Sequence, residues 1–248
     1  MKLLTPDWPA PAEVKAVLTT RLGGYSEAPW DSFNLGLRTG DDQEHMASNR
    51  ALLNDATGLG QSPQWLHQVH GKTVVEASAD GVEREADAAV SRTPGLAAAV
   101  LTADCLPVLF CAENGSVVAA AHAGWRGLAG GVLRNTVDAM GVEPGQILAY
   151  LGPAISQTHF EVGPEVKAAF QANAINSGHG KEIDAGFIAG KGDRLQADIY
   201  ALAKAELNAI GVNAVYGGNY CTYSQPDLFY SYRRDGVTGR MASLIWIE

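Results

Sequence analysis

The chain has 248 residues and a mass of 26.1 kDa, of which 46% are hydrophobic and 18% charged; this length and composition support a buried core and exclude a disordered protein. Lys and Arg number 18 against 27 Asp and Glu, a formal charge of −9, which repels phosphate backbones and excludes nucleic acid as a partner. The apolar runs Leu96–Val100 and Pro107–Cys111 are interrupted by Asp104 and too short to cross a bilayer, and the opening Met1–Asp7 lacks the apolar core of a secretion signal, so a cytoplasmic protein without a membrane partner is expected.

Taken in order, strands are predicted at Val14–Thr20, Trp65–Val69, Thr73–Glu76, Ala97–Thr102, Pro107–Cys111, Val117–Ala121, Ile147–Leu151, Ala214–Tyr216 and Ser243–Ile247, where β-branched and apolar residues run between chain breakers. Helices are predicted between them at Gln43–Thr57, Leu128–Met140, Pro164–Gln171 and Arg194–Ile210. In the last of these Leu195, Ile199, Leu202 and Ile210 share a face, Asp193 and Gln196 resemble a capping box, and Gly211 suits the residue that ends the helix. No repeat or Pro/Gly/Ser linker divides the chain. The expectation is one α/β domain over residues 1–248, layered around a central mixed β-sheet flanked by helices.

Three potential metal ligands stand at the ends of predicted strands, each followed by a chain breaker: His70 before Gly71, Cys105 before Leu106-Pro107, and His122 before Ala123-Gly124. Strand ends that open on a common crevice are where α/β sheets build sites. The three lie too far apart along the chain for a local zinc motif, and each taken singly reads more readily as a buried thiol or a satisfied imidazole than as a ligand. His67 falls three residues before His70; on a strand the two would point to opposite faces, so His67 stays outside the ligand set. The same alternation turns Asp104 away from Cys105 and gives it a structural part. Cys111 reads as core, and Cys221 has no assigned part. With three cysteines and no CxxC pair, a disulfide framework is not expected.

Four arginines are candidate anion ligands. Arg126 lies in His122-Ala123-Gly124-Trp125-Arg126-Gly127, a turn leading into the helix predicted from Leu128, where free N–H groups and a forked cation make a phosphate seat. The alternative is a turn that glycines merely permit. Arg21 precedes Gly23-Gly24, Arg233 follows Tyr230-Ser231-Tyr232, and Arg50 lies on the helix predicted over 43–57, where a solvated helical face is the plainer alternative.

Together, Thr19-Thr20-Arg21-Leu22-Gly23-Gly24, Asn34-Leu35-Gly36, Asn49-Arg50, Gln68-Val69-His70-Gly71, Thr102-Ala103-Asp104-Cys105-Leu106-Pro107, His122–Gly127, Leu151–Ile155 and Tyr232-Arg233-Arg234-Asp235 resemble the YfiH/laccase-domain family. The resemblance spans nearly the whole chain. It implies a single zinc held by His70, Cys105 and His122, a cytosolic α/β protein, and phosphorolysis of adenosine, inosine, guanosine and methylthioadenosine together with deamination of adenosine. On that footing Arg50 and Arg126 are the expected phosphate ligands, and Arg21 and Arg233 the expected substrate contacts.

Two histidines and one cysteine leave zinc an open fourth position, the catalytic arrangement. The family's older description as copper polyphenol oxidases fits poorly, because copper oxidase centres use many imidazoles, commonly in HxH pairs, and this chain has 6 histidines and no HxH. The PCxxC element of cytidine-deaminase-type zinc sites is missing as well. Two alternatives remain: an editing enzyme acting on a nucleotide-linked peptidoglycan precursor, and a scaffold whose zinc is structural, for which a fourth protein ligand such as His67 is required.

Overall fold

The computed structural model describes residues 1–174 and 179–248. In chain order its elements are β1 (Leu3–Leu4), β2 (Val14–Thr19), α1 (Gln43–Thr57), β3 (Leu66–His67), β4 (Val74–Glu76), β5 (Arg84–Glu85), β6 (Ala88–Ser91), β7 (Ala98–Thr102), β8 (Leu106–Ala112), β9 (Val118–Ala123), α2 (Trp125–Ala129), α3 (Val132–Met140), β10 (Ile147–Leu151), β11 (Glu161–Val162), α4 (Pro164–Ala174), α5 (Gly180–Ala185), β12 (Phe187–Ala189), β13 (Leu195–Ala197), α6 (Ile199–Ala209), β14 (Ala214–Gly217), α7 (Tyr232–Asp235) and β15 (Met241–Ile247).

The central sheet has the order β14-β10-β8-β9-β6-β4. It is mixed, as expected: β14 runs parallel to β10 and β4 parallel to β6, while the inner pairs are antiparallel. Side chains alternate across it with the two-residue period of a strand. Leu106, Val108, Phe110 and Ala112 of β8 pack with Ala119, Ala121 and Ala123 of β9 against the helices, Leu128, Val132, Leu133, Leu202 and Leu207 among them. Leu109 and Cys111 of β8 and Val118 and Ala120 of β9 point the other way, onto Leu18, Val100 and Ile245 of a second sheet.

That second sheet, β1-β2-β15-β7, is antiparallel throughout and covers the face that the sequence alone left unassigned. Its own outer face, through Ala99, Ala242, Leu244 and Trp246, packs on Leu53 of α1 and on Phe33, Leu35 and Trp65. The layers thus run helix, sheet, sheet, helices. A strand covered on both faces reads as an unbroken apolar run, which is why β8 is LPVLFCA and buried throughout.

Three boundaries differ from expectation for identifiable reasons. The helix expected over Arg194–Ile210 begins at Ile199, because Asp198 caps it by accepting from the Ala201 N–H at 3.0 Å, while Leu195–Ala197 pairs with β11 and β12. The helix expected over Leu128–Met140 is two helices, broken where Gly131 adopts φ 91°. The strand expected over Trp65–Val69 shrinks to Leu66–His67. There the Gln68 side chain takes the place of a neighbouring strand, donating to the Leu101 carbonyl at 2.8 Å and accepting from the Leu101 N–H at 2.7 Å.

Candidate metal centre

His70, Cys105 and His122 come from three separate places. His122 sits inside β9, which runs two residues beyond the predicted strand, Cys105 immediately precedes β8, and His70 lies in the loop after β3. Their ligand atoms lie within 4.8 Å of one another, and among the described residues they are the group of three or more His, Cys, Asp or Glu able to hold a metal ion. The imidazole centroids are 4.8 Å apart at 76°, and the Cys105 Sγ is 3.8 Å from the His70 Nε2.

The buried carboxylate of Asp87, just before β6, organises two of the three. It accepts from the backbone N–H groups of Val69 at 3.3 Å, His70 at 2.9 Å and Gly71 at 2.6 Å. It also lies 2.8 Å from the His122 Nδ1, which fixes that ring with Nδ1 inward and leaves Nε2 for the ligand group. Holding the His70 loop has a backbone cost, since His70 has φ 60°; Asp104, beside Cys105, has φ 89°, and among the described residues these are the two non-glycine positions with positive φ. Asp104 is pinned in turn, its carboxylate accepting from the Thr222 hydroxyl at 2.6 Å and the Arg233 N–H at 2.7 Å. Such conformations persist where surrounding bonds over-determine them.

Charge and space both suit a cation. Burial alone would raise the Cys105 thiol, but the charge and hydrogen bonds of His122, followed by those of His70, outweigh it and bring the thiol down to about 6. Burial likewise opposes protonation of His122, which the Cys105 charge and the Asp87 bond reverse, so its pKa is raised. Asp87 is lowered for the matching reason, burial being outweighed by His122 and the Gly71 and Val69 N–H groups. A thiol that ionises readily between two imidazoles is the donor set of a borderline-soft ion. Gly124 leaves room at the centre, because a Cβ there would stand 2.9 Å from the His70 Cδ2 and 3.1 Å from the Cys105 Sγ.

The three residues form part of the wall of a cavity of about 450 Å³, within the range of small-molecule sites. Gly36–Thr39, Leu66–Gln68, Leu101–Ala103, Tyr232 and Arg240 complete it. His67 contributes to this wall and stays outside the ligand group.

None of the four expected arginines lines the cavity. Arg50 gives its Nη1 to Glu83 at 3.0 Å and its Nε to the Leu35 carbonyl at 3.1 Å, with its guanidinium over the Trp65 ring and its Nη2 buried without a hydrogen-bond partner among the described residues. Arg21 is held by Asp31 and the Pro226 carbonyl, and Arg233 donates to the Glu161 carbonyl beside Phe160. Arg126 is exposed and stacked on Trp125, and α2, which starts there, has only five residues, too few for the expected phosphate seat to draw on an aligned helix dipole. The cations of the cavity are Arg38 and Arg240, neither of which carries a local signal; Arg240 is simply the residue before β15. Asp87 had one faint signal, a carboxylate immediately before an apolar strand. Cys221 accepts from the Ser156 hydroxyl at 3.0 Å in a separate cavity.

A mixed sheet backed by a second sheet, with one group of two histidines and a cysteine beside β8 and β9 that could hold a metal in the wall of a cavity, defines a class of α/β proteins. The chain belongs to the family described as multi-copper polyphenol oxidoreductase laccase, whose model matches residues 15–248. It is 53% identical to a purine nucleoside phosphorylase of Pseudomonas aeruginosa over 99% of this chain and 98% of that one, and 50% identical to the purine nucleoside phosphorylase YfiH of Escherichia coli over 99% of both. A crystal structure from Neisseria meningitidis, 50% identical, superposes over 100% of each chain with a TM-score of 0.94. The Bacillus licheniformis protein YfiH, 29% identical over 95% of this chain and 93% of that one, superposes with a TM-score of 0.88. Among the described residues no helix is long and apolar enough to cross a membrane.

Proposed function

We propose that the protein is a zinc-dependent purine nucleoside phosphorylase that takes adenosine, inosine, guanosine or methylthioadenosine with phosphate to the free base and a ribose 1-phosphate or its methylthio counterpart, deaminates adenosine as a second activity, and acts in the cytoplasm. The observation that carries the reading is the His70–Cys105–His122 group in the wall of the cavity, in a chain 42–53% identical over nearly its whole length to proteins named purine nucleoside phosphorylase. The thiolate and two imidazoles favour zinc over copper, and among the described residues no second ligand group accompanies them. A zinc ion held by the three residues would supply a Lewis acid with one open position towards the cavity.

The remaining work falls to the chain. Phosphorolysis forms a bond from a phosphate oxygen to C1′ as the C1′–N9 bond breaks with its electron pair on the purine, which takes up the proton that the hydrogen phosphate loses. Asp87 keeps the His122 ring in one tautomer and the His70 loop in one conformation, so the ligand group does not reorganise on loading. The walls from Gly36–Thr39 and Leu101–Ala103 give a nucleoside room beside the ligand group. Because C6 and C1′ lie at opposite ends of a nucleoside, deamination requires a second orientation of substrate in the same cavity.

Product analysis of zinc-loaded protein given adenosine, with and without phosphate and with Cys105→Ala as the blank, tests the reading. Adenine and ribose 1-phosphate are expected only with phosphate, inosine without it, and neither from the variant. Absence of both products would overturn the reading and put the nucleotide-linked cell-wall precursor in its place as the substrate to test.

A further inference from the structure

The phosphorylase reading requires a seat for phosphate, and Arg50 and Arg126, expected to form it, lie outside the cavity, as do Arg21 and Arg233. Of the two arginines within it, Arg38 is exposed and already paired with Glu83 at 2.8 Å. Arg240 differs in every respect that matters to an anion. It is half-buried and, among the described residues, forms no salt bridge, its guanidinium spending only Nη1, which donates at 2.9 Å to the carbonyls of Thr238 and of Gly239. Its Nε–Nη2 edge has no partner among the described residues, and its guanidinium carbon stands 6.0 Å from the Tyr232 ring centroid.

The fold builds this placement deliberately. The Arg240 N–H donates to the Asn34 Oδ1 at 2.8 Å, and that same oxygen accepts from Gly36 at 3.1 Å. The Asn34 amide nitrogen donates to the Thr39 Oγ1 at 2.8 Å and the Asp41 Oδ2 at 2.9 Å, so one fully buried side chain ties the Gly36–Thr39 wall to the arginine opposite. Gly36 then clears the arginine's stem, since a Cβ there would stand 2.7 Å from the Arg240 Cγ. Burial lowers the Arg240 pKa, and the Cys105 thiol and Asp104 carboxylate offset this only through space, with no carboxylate within salt-bridge distance among the described residues; a guanidinium so desolvated carries a cost that a bound anion relieves. The free fork of two N–H groups matches two oxygens of a phosphate.

We propose that Arg240 is the phosphate-binding residue of the metal cavity, seating inorganic phosphate on its Nε–Nη2 edge; the proposal rests on the phosphorylase reading and names the residue that serves its co-substrate. The same oxyanion chemistry is presented by the phosphate of a nucleotide, so the experiment separates the two sources. Inorganic phosphate and adenosine 5′-monophosphate are titrated calorimetrically into zinc-loaded wild type, Arg240→Gln, Arg240→Lys and Gly36→Ala, with zinc content and thermal unfolding measured on each. The affinity for inorganic phosphate is expected to fall at least tenfold in Arg240→Gln, with smaller losses in Arg240→Lys and Gly36→Ala. In turnover, KM for phosphate rises by the same factor while KM for the nucleoside stays within twofold. If Arg240→Gln does not fold, the lysine and alanine variants carry the test.

Phosphate affinity unchanged within twofold across the variants overturns the proposal, as does wild type that does not bind phosphate or a loss confined to the nucleotide. The two readings fail separately. Nucleoside phosphorolysis with an unaltered phosphate KM in Arg240→Gln removes Arg240 and leaves the activity, whereas Arg240-dependent phosphate binding without turnover upholds the anion site and removes the phosphorylase.

Discussion

Cys105 and Cys111 stand at opposite ends of one strand and show how differently the rim and the interior of the central sheet treat the same side chain. Cys111 is fully buried between the two sheets, where burial alone pushes its thiol up to about 12. Cys105 suffers the same penalty at the rim, but two imidazoles reverse it and bring the thiol down to about 6. Burial therefore does not decide whether a thiol is reactive here; its neighbours do. The interior of the sheet supplies stability and the rim supplies chemistry, and the two respond to different substitutions.

The largest effect should come from the interior. Phe110→Ala empties a fully buried site facing the helices and is expected to cost about 3–5 kcal/mol of stability in urea unfolding, with zinc stoichiometry in the folded protein unchanged. Loss of zinc from the still-folded variant would show that rim and interior are not separable. Next is Asp87→Asn, which keeps the shape but removes the charge that faces three N–H groups and His122. Zinc affinity measured against a chelator should fall by about 10–100-fold, and an unaltered affinity would deny Asp87 its organising part.

The smallest effect is the direct comparison. In native, zinc-stripped protein at pH 7.5, iodoacetamide should modify Cys105 at least tenfold faster than Cys111, as peptide mass spectrometry would read. The sign follows from the lowered thiol: thiolate persists above about pH 6 and is lost below it, so the Cys105 rate should fall on acidification through that value. Restored zinc should protect Cys105, and equal rates for the two cysteines would erase the contrast.

What was legible in the sequence follows the same division. Ile147–Leu151 and Gln43–Thr57 appear as predicted, because local pattern and breakers decide them. The second sheet was not legible, since strands buried on both faces show no polar side from which to infer a layer. Leu195–Ala197 was misread because its apolar residues happen to continue the helical period of α6. At the site, the grouping of His70, Cys105 and His122 was legible as predicted strand-end residues followed by breakers and through the family resemblance. Which arginines reach the cavity was not legible, because long-range contacts place them: Glu83 pairs with the Arg50 guanidinium from 33 positions away, and Asn34 fixes the Arg240 backbone N–H from 206.

The left-handed backbone at His70 and Asp104 also bears on portability. A designer who transplanted the three donors onto another sheet would inherit two residues in conformations that cost of order 1–3 kcal/mol each, while leaving behind the Asp87, Thr222 and Arg233 contacts that offset them. Replacing His70 by glycine would relax the turn and delete a donor. The smallest graftable unit is thus the ligands and their retaining carboxylates together with Thr222 and Arg233, which lie more than a hundred residues from the Asp104 they hold.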